Sequence, residues 1–238
     1  MKLKAYLLTI TIHDFFFYAS HELRVAVTAP FIHNTALGYA VNRFSKIHRV
    51  ASGPEPSYTS DFSEMTIYVT PASMDGASPV VGDRSIRFPI GERVGITRNA
   101  VNTVTQTTES GNLVLPALIT YMAYPPLTTF RAYSLGGTPP PVIRIGKKEP
   151  PARIRYEELS DINLGRGRFE PTHPVSLIDI PKDTKVIKAD IYDMRPSPLL
   201  VRSVLDGLYI VGLDRKGRKH VIALPDPKKY PKVSGLVT

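Results

Sequence analysis

Apolar residues run almost unbroken from Leu3 to Ile12, interrupted by Lys4, Thr9 and Thr11, and predict a buried first strand. Leu37, Ala40, Val41, Phe44 and Ile47 recur at three- and four-residue spacing, which predicts an amphipathic helix over Ile32 to Ile47. Polar and apolar residues alternate over Glu64–Thr70 and Arg84–Ile90, and further short strands are expected over Thr129–Leu135, Val142–Ile145 and Ala152–Tyr156. Gly207–Leu213 and Arg218–Leu224 flank the turn Asp214-Arg215-Lys216-Gly217 and read as a hairpin, with Gly217 supplying the positive φ. Gly95–Tyr121 differs from all of these. Rich in Thr, Asn and Val, with the polar tip Thr107–Asn112, it reads as a long hairpin arm, and its one Arg98 and one Glu109 cancel. A neutral, β-branched arm suits protein contact or strand addition better than phosphate binding. One helix, many strands and no strand–helix alternation predict an α+β fold built on an antiparallel sheet.

Composition narrows the function classes. Hydrophobic residues make up 42% of the 238, enough for a core, and no apolar run reaches the roughly 20 residues of a membrane span. The N-terminal stretch lacks a signal-peptide profile, so a cytoplasmic protein with no membrane partner is expected. Zero cysteines exclude disulfides, thiolate zinc sites and a cysteine nucleophile. Net charge is +9 and it is uneven: residues 1–141 hold 11 Lys and Arg against 9 Asp and Glu, residues 142–238 hold 19 against 12. A basic second half favours a polyanion, with nucleic acid first.

The densest charge is RIGKKEPPARIR, where Arg144, Lys147, Lys148, Arg153 and Arg155 face only Glu149. Strand ends and the loop between them can converge such side chains on phosphates, and Gly146 would let an exposed backbone approach closely. The same residues also suit a charged edge strand that resists aggregation. Asn163–Phe169 reads as a second basic loop, in which Arg166 and Arg168 offer forks for phosphate, the glycines flexibility, and Phe169 a stacking surface or an anchor to the core. His33 and Asn34 open the predicted helix, where free N–H groups favour an anion; for Asn34 a helix cap is the better reading. His13-Asp14 brings no further ligands with it and is read as a turn, so no metal is expected. His21, His48 and His220 read as surface residues, His173-Pro174 as part of a turn, and Phe15–Phe17 as packing. No phosphate loop, dinucleotide fingerprint or G-x-S-x-G elbow occurs.

Four blocks in order carry a family likeness: Ile12–Ala40 (IHDFFFYASHELRVAVTAPFIHNTALGYA); Gly95–Thr105 with Arg98-Asn99-Ala100-Val101-Asn102-Thr103; Phe130–Tyr156 with FRAY, PVIRIGK and ARIRY; and Thr172–Ser176 with Asp179-Ile180-Pro181. Together they resemble the five-prime-handle-binding subunit of type I-D CRISPR Cascade, a RAMP-superfamily protein, with spacings like those of an archaeal relative. The resemblance implies one modified ferredoxin-like (RRM/RAMP) palm over 1–238, a β-hairpin thumb at 95–121 and a C-terminal hairpin at 207–224. It implies a non-catalytic subunit that caps the 5′ handle of the CRISPR RNA, joins the Cascade backbone and large subunits, and lies near target DNA at the foot of the complex, with no cofactor. The expected RNA contacts are His33, Asn34, Arg98, Asn99, Asn102, Arg144, Lys147, Lys148, Arg153, Arg155, Arg166 and Arg168. The alternative is a metal-independent endoribonuclease that cuts repeat RNA, with His13, His33 or Tyr156 as base. A third reading is a plain basic ribosome- or DNA-associated protein.

Overall fold

The computed structural model describes residues 3–18, 25–42, 58–74, 93–100, 117–146 and 149–234, with backbone alone at 25, 59, 94–100, 117–120 and 234. The elements in chain order are β1 (Ala5–Ile12), β2 (Val25–Val27), β3 (Phe31–Ile32), α1 (Asn34–Asn42), α2 (Tyr58–Glu64), β4 (Tyr68–Val69), β5 (Ala72–Met74), β6 (Val94–Ala100), β7 (Ala117–Ala123), β8 (Thr129–Leu135), β9 (Val142–Arg144), β10 (Pro151–Glu158), β11 (Ser160–Phe169), β12 (Val175–Ser176), β13 (Lys185–Tyr192), β14 (Leu199–Leu213), β15 (Lys219–Ala223) and α3 (Pro231–Ser234). The result is a mixed α/β fold of mostly antiparallel sheets with few helices.

The main sheet runs β3-β5-β8-β1-β10-β9, with β4 also on β8. Because side chains alternate across a strand, its register sorts every residue onto one of two faces. Leu8, Ile10 and Ile12 line up with Phe130, Ala132, Ile154 and Ala152 on the face packed by Leu37, Ala40 and Val41 of α1. The opposite face carries Ala5, Leu7, Tyr133 and Leu135 at one end, and there the second sheet covers it through Leu159, Ile210 and Ile222. That second sheet is built around the fifteen-residue β14, which pairs with β11, β12, β13 and β15. A third sheet, β2-β7-β6, forms the base of the arm, and residues 101–116 beyond it lie outside the described part.

Several sequence expectations change here. The helix expected from Ile32 begins at Asn34, because Phe31–Ile32 pairs with β5; Phe44 and Ile47 lie outside the described residues. The strand expected over Glu64–Thr70 shrinks to Tyr68–Val69, because α2 occupies Tyr58–Glu64 and the Asn42 side-chain oxygen takes the backbone N–H groups of Thr66 and Ile67, each at 3.2 Å. Arg84–Ile90 lies outside the described residues.

Asn163–Phe169 is not a loop. It is part of β11, in which Gly165 serves packing while Gly167, with open space around it, supplies a positive φ of +127°. Gly165 sits opposite Tyr209, where an added Cβ would lie 2.4 Å from that ring, and Phe169 stacks on the same ring at 4.6 Å and 25°. Gly165→Ala is therefore expected to displace Tyr209 and to lower stability by about 1–3 kcal/mol, the usual cost of overpacking. A thermal melt checks this, and an unchanged melting temperature would refute the packing role.

Candidate RNA-binding face

The second face of the main sheet stays open at one corner. Cross-strand register places Arg131, Thr9 and Arg155 in one row, and Thr129, Thr11, Arg153 and Val142 in the next. Arg144 shares the face of Val142 two residues further along β9. Thr9 and Thr11 on the central strand are short. Arg131 rises on β8 to one side and Arg153 and Arg155 rise on β10 to the other, so the corner forms a shallow trough with a threonine floor. Arg144, Arg153 and Arg155 are exposed, and Arg144 donates from Nη1 to the Glu149 carbonyl at 3.1 Å. Among the described residues neither Arg153 nor Arg155 has a carboxylate partner.

The trough ends at a wall. The Tyr133 hydroxyl lies 2.7 Å from His220 Nδ1 and 3.0 Å from Thr172 Oγ1, and all three residues are buried. His220 Nε2 stands 3.2 Å from Asp214 Oδ2, an ion-pair distance rather than an aligned hydrogen bond. Asp214 also accepts from the Arg218 Nε at 2.7 Å and from the backbone N–H groups of Lys216 and Arg218. Burial alone would raise its carboxyl, but these donors outweigh burial and hold it well below the usual carboxylate range. Desolvation pushes the Tyr133 hydroxyl up to about 12. His220, expected on the surface, is thus a buried member of the wall, because the hairpin turn folds back onto the main sheet.

The helix-opening pair is displaced from this face altogether, which corrects its expected role in RNA contact. His33 is fully buried: its Nδ1 accepts from the Thr35 N–H at 3.1 Å and so caps α1, and its Nε2 lies 3.0 Å from the Ser197 carbonyl. Asn34 does not cap the helix; its amide donates to Asp179. Both residues are buried and join the first half of the chain to the second sheet, so neither reaches the surface where RNA could lie. Gly146 is likewise turned inward. Its φ is +85° and an added Cβ would lie 2.7 Å from the Phe16 ring, so its exceptional backbone meets an aromatic and not a phosphate. Arg166 and Arg168 sit on exposed β11, away from the trough; Arg166 pairs with Asp183 at 3.8 Å and Arg168 faces Asp206 across the strands. The backbone of Arg98 and Asn99 lies in β6, while their side chains, together with Asn102, Lys147 and Lys148, fall outside the described residues. Arg131 was missed by the sequence reading. Its signal is the register of FRAY against the first strand, which the linear charge density does not reveal.

The bases considered for RNA cleavage do not converge. His13 is exposed in the turn after β1, His33 is buried at the start of α1, and Tyr156 lies on the face of β10 opposite the trough, edge-on to Tyr6 at 5.6 Å. No group of three or more His, Cys, Asp or Glu that could hold a metal ion occurs among the described residues.

The family model for the type I-D CRISPR-associated protein Cas5/Csc1 matches residues 3–232. The chain belongs to the Cas5/Csc1 family. Among solved structures, a chain of the type III-B Cmr-beta complex bound to cognate target RNA and AMPPnP is similar to this Cas5/Csc1 protein at 10% identity and a TM-score of 0.49, over 84% of this chain and 86% of that one. A search of the curated proteins returns no match. Within this Cas5/Csc1 chain the trough brings Arg131, Arg144, Arg153 and Arg155 onto one face of the main sheet.

Proposed function

We propose that this Cas5/Csc1 chain is a non-catalytic subunit of a type I-D Cascade that holds the 5′ handle of the CRISPR RNA in the open corner of its main sheet. On this reading the sheet and α1 form a modified ferredoxin-like palm, the arm at 95–121 contacts the backbone subunit, the palm meets the large subunit, and target DNA passes nearby. The observation that carries the reading is the contrast between the two sheets. Three arginines on or beside the second sheet are matched by acids, Arg166–Asp183, Arg202–Asp190 and Arg218–Asp214, whereas Arg153 and Arg155, neighbours on one face of β10, have no carboxylate partner among the described residues. Unmatched cations along a sheet face favour a chain of phosphates.

Replacing Arg153 and Arg155 with Ala is expected to weaken RNA binding. Each lost contact should reduce the steepness of log Kobs against log salt by about 0.7, the single-strand increment per phosphate. Titration of labelled handle RNA at several salt concentrations measures both. Unchanged affinity and slope would place the RNA elsewhere. Purification of the tagged chain from its own cells tests the assembly: short RNAs with a common repeat-derived 5′ end, together with a repeating backbone subunit and a large subunit, are expected. The nuclease alternative predicts a discrete cut when pure protein meets repeat RNA in EDTA, whereas the holding subunit leaves the RNA intact.

A further inference from the structure

We infer that the trough grips the phosphodiester backbone of single-stranded RNA and does not read bases. This rests on the RNA-holding function proposed above and specifies what that site recognises. Sheets that bind single strands by sequence present exposed aromatics on their central strands, on which bases stack, and carboxamides or carboxylates that pair with base edges. Here the described residues of the open corner are four arginines, three threonines and a valine, none of them an aromatic, amide or acid; the first acid along this face is Glu157, beyond Arg155. The corner's central strand carries only half-buried Thr9 and buried Thr11 on this face.

Among the described residues the exposed aromatics are Phe15, in the turn after β1 and so off the strands of the sheet, and Tyr156, on the opposite face of β10. Tyr133, which follows Arg131 on the same face of β8, is buried with its hydroxyl held by His220 and Thr172, so it gives neither a ring face nor a donor. Glu157, next along the same face, is occupied by the Arg215 backbone N–H at 2.5 Å.

The spacing fits a backbone. Arg153 and Arg155 are same-face neighbours on one strand, about 6.6 Å apart, close to the step of an extended phosphodiester repeat. Arg131 lies two strands from Arg155, about 10 Å across the threonine floor. A strand lying along β1 would thus meet cations on both sides with hydroxyls beneath, and its bases would turn outward.

The test uses the full chain and fluorescent oligoadenylate, oligouridylate, oligocytidylate and a mixed guanine-containing RNA, each of roughly eight nucleotides, the scale of a single-strand site. Affinities within about threefold of one another are expected, whereas one misread base in a reading site costs about tenfold. Arg155→Ala should weaken all four RNAs by the same factor. A spread wider than about tenfold, or an Arg155→Ala loss confined to the guanine-containing RNA, would overturn the inference while leaving RNA holding intact. Absence of salt-dependent binding to every RNA would instead overturn the RNA-holding function itself.

Discussion

Acidification from pH 6.5 to pH 4 is expected to remove about 3 kcal/mol of net stability from the folded chain. Two buried histidines drive the loss. His33 takes the Thr35 N–H on Nδ1 and faces the Ser197 carbonyl with Nε2; His173 takes the Ala223 N–H on Nε2 at 3.2 Å and faces the Pro174 carbonyl with Nδ1 at 2.7 Å. Each ring therefore has one acceptor and one donor in use, which is the neutral imidazole, and a second proton would point at an N–H. Burial lowers both from 6.5 to about 4, against the smaller raising effect of the carbonyl each one faces. A group with a depressed folded pKa stabilises the fold above its unfolded pKa, and this stabilisation is lost as pH falls from 6.5 through 4. Each histidine thus costs about 3 kcal/mol across that window.

Asp179 opposes them. Burial raises its carboxyl from 3.8 to about 6, despite the lowering effects of the Tyr230, Asn34 and Tyr68 hydrogen bonds and the charge of Lys229. A raised carboxyl favours the fold below 3.8 and loses that contribution as pH rises through 6, so on acidification it returns about 2–3 kcal/mol. The balance remains destabilising. Urea midpoints measured across the window check it, and His173→Gln should flatten the fall. A midpoint unchanged between pH 6.5 and pH 4 would sink the assignment of both neutral histidines.

These histidines also mark where the sequence stopped being legible. Strands β1, β8, β9 and β10 announce themselves because their alternation and apolar runs are local, and the Asp214–Gly217 turn because its chemistry is local: Gly217 has φ +72° and donates to the Asp214 carbonyl at 2.9 Å. The face that Arg153 and Arg155 share with Arg131 is not local. It follows from which strands neighbour β1, and nothing in FRAY by itself says so. The glycines of β11 misled for a related reason. In isolation Gly-Arg-Gly-Arg reads as a flexible basic loop, but Gly165 is small because Tyr209, forty-four residues away in sequence, lies across it. His33 and Asn34 carry the signature of a helix N-terminus, and the anion-binding expectation was sound chemistry for an exposed one. Burial against Asp179 and Ser197 decided otherwise, and only the tertiary fold supplies those partners.

Asp179→Ala is expected to destabilise the fold by about 3–5 kcal/mol, the range for removing one member of a buried charged network. The residue closes a short helical turn, Leu177–Asp179, and is buried where four parts of the fold meet. Its carboxylate takes the Asn34 amide of α1, the Tyr68 hydroxyl of β4 at 3.3 Å and the Tyr230 hydroxyl before α3 at 3.0 Å, while its backbone carbonyl takes the Asp226 N–H at 2.8 Å. Alanine leaves three buried donors without an acceptor, each costing about 1–3 kcal/mol before relaxation. At this chain length each kcal/mol shifts the melting temperature by about 2–4 °C, so a drop of about 6–20 °C is expected. Asp179→Asn keeps one acceptor oxygen and should fall between the two. The trough provides the control. Its arginines stand on β8, β9 and β10, and none of them contacts Asp179, so below its melting temperature Asp179→Ala should retain the salt slope of RNA binding. Loss of that slope in a still-folded variant would mean that the junction between the sheets shapes the RNA site; an unchanged melting temperature would mean that the three donors find other partners and that Asp179 is not the tie between the sheets.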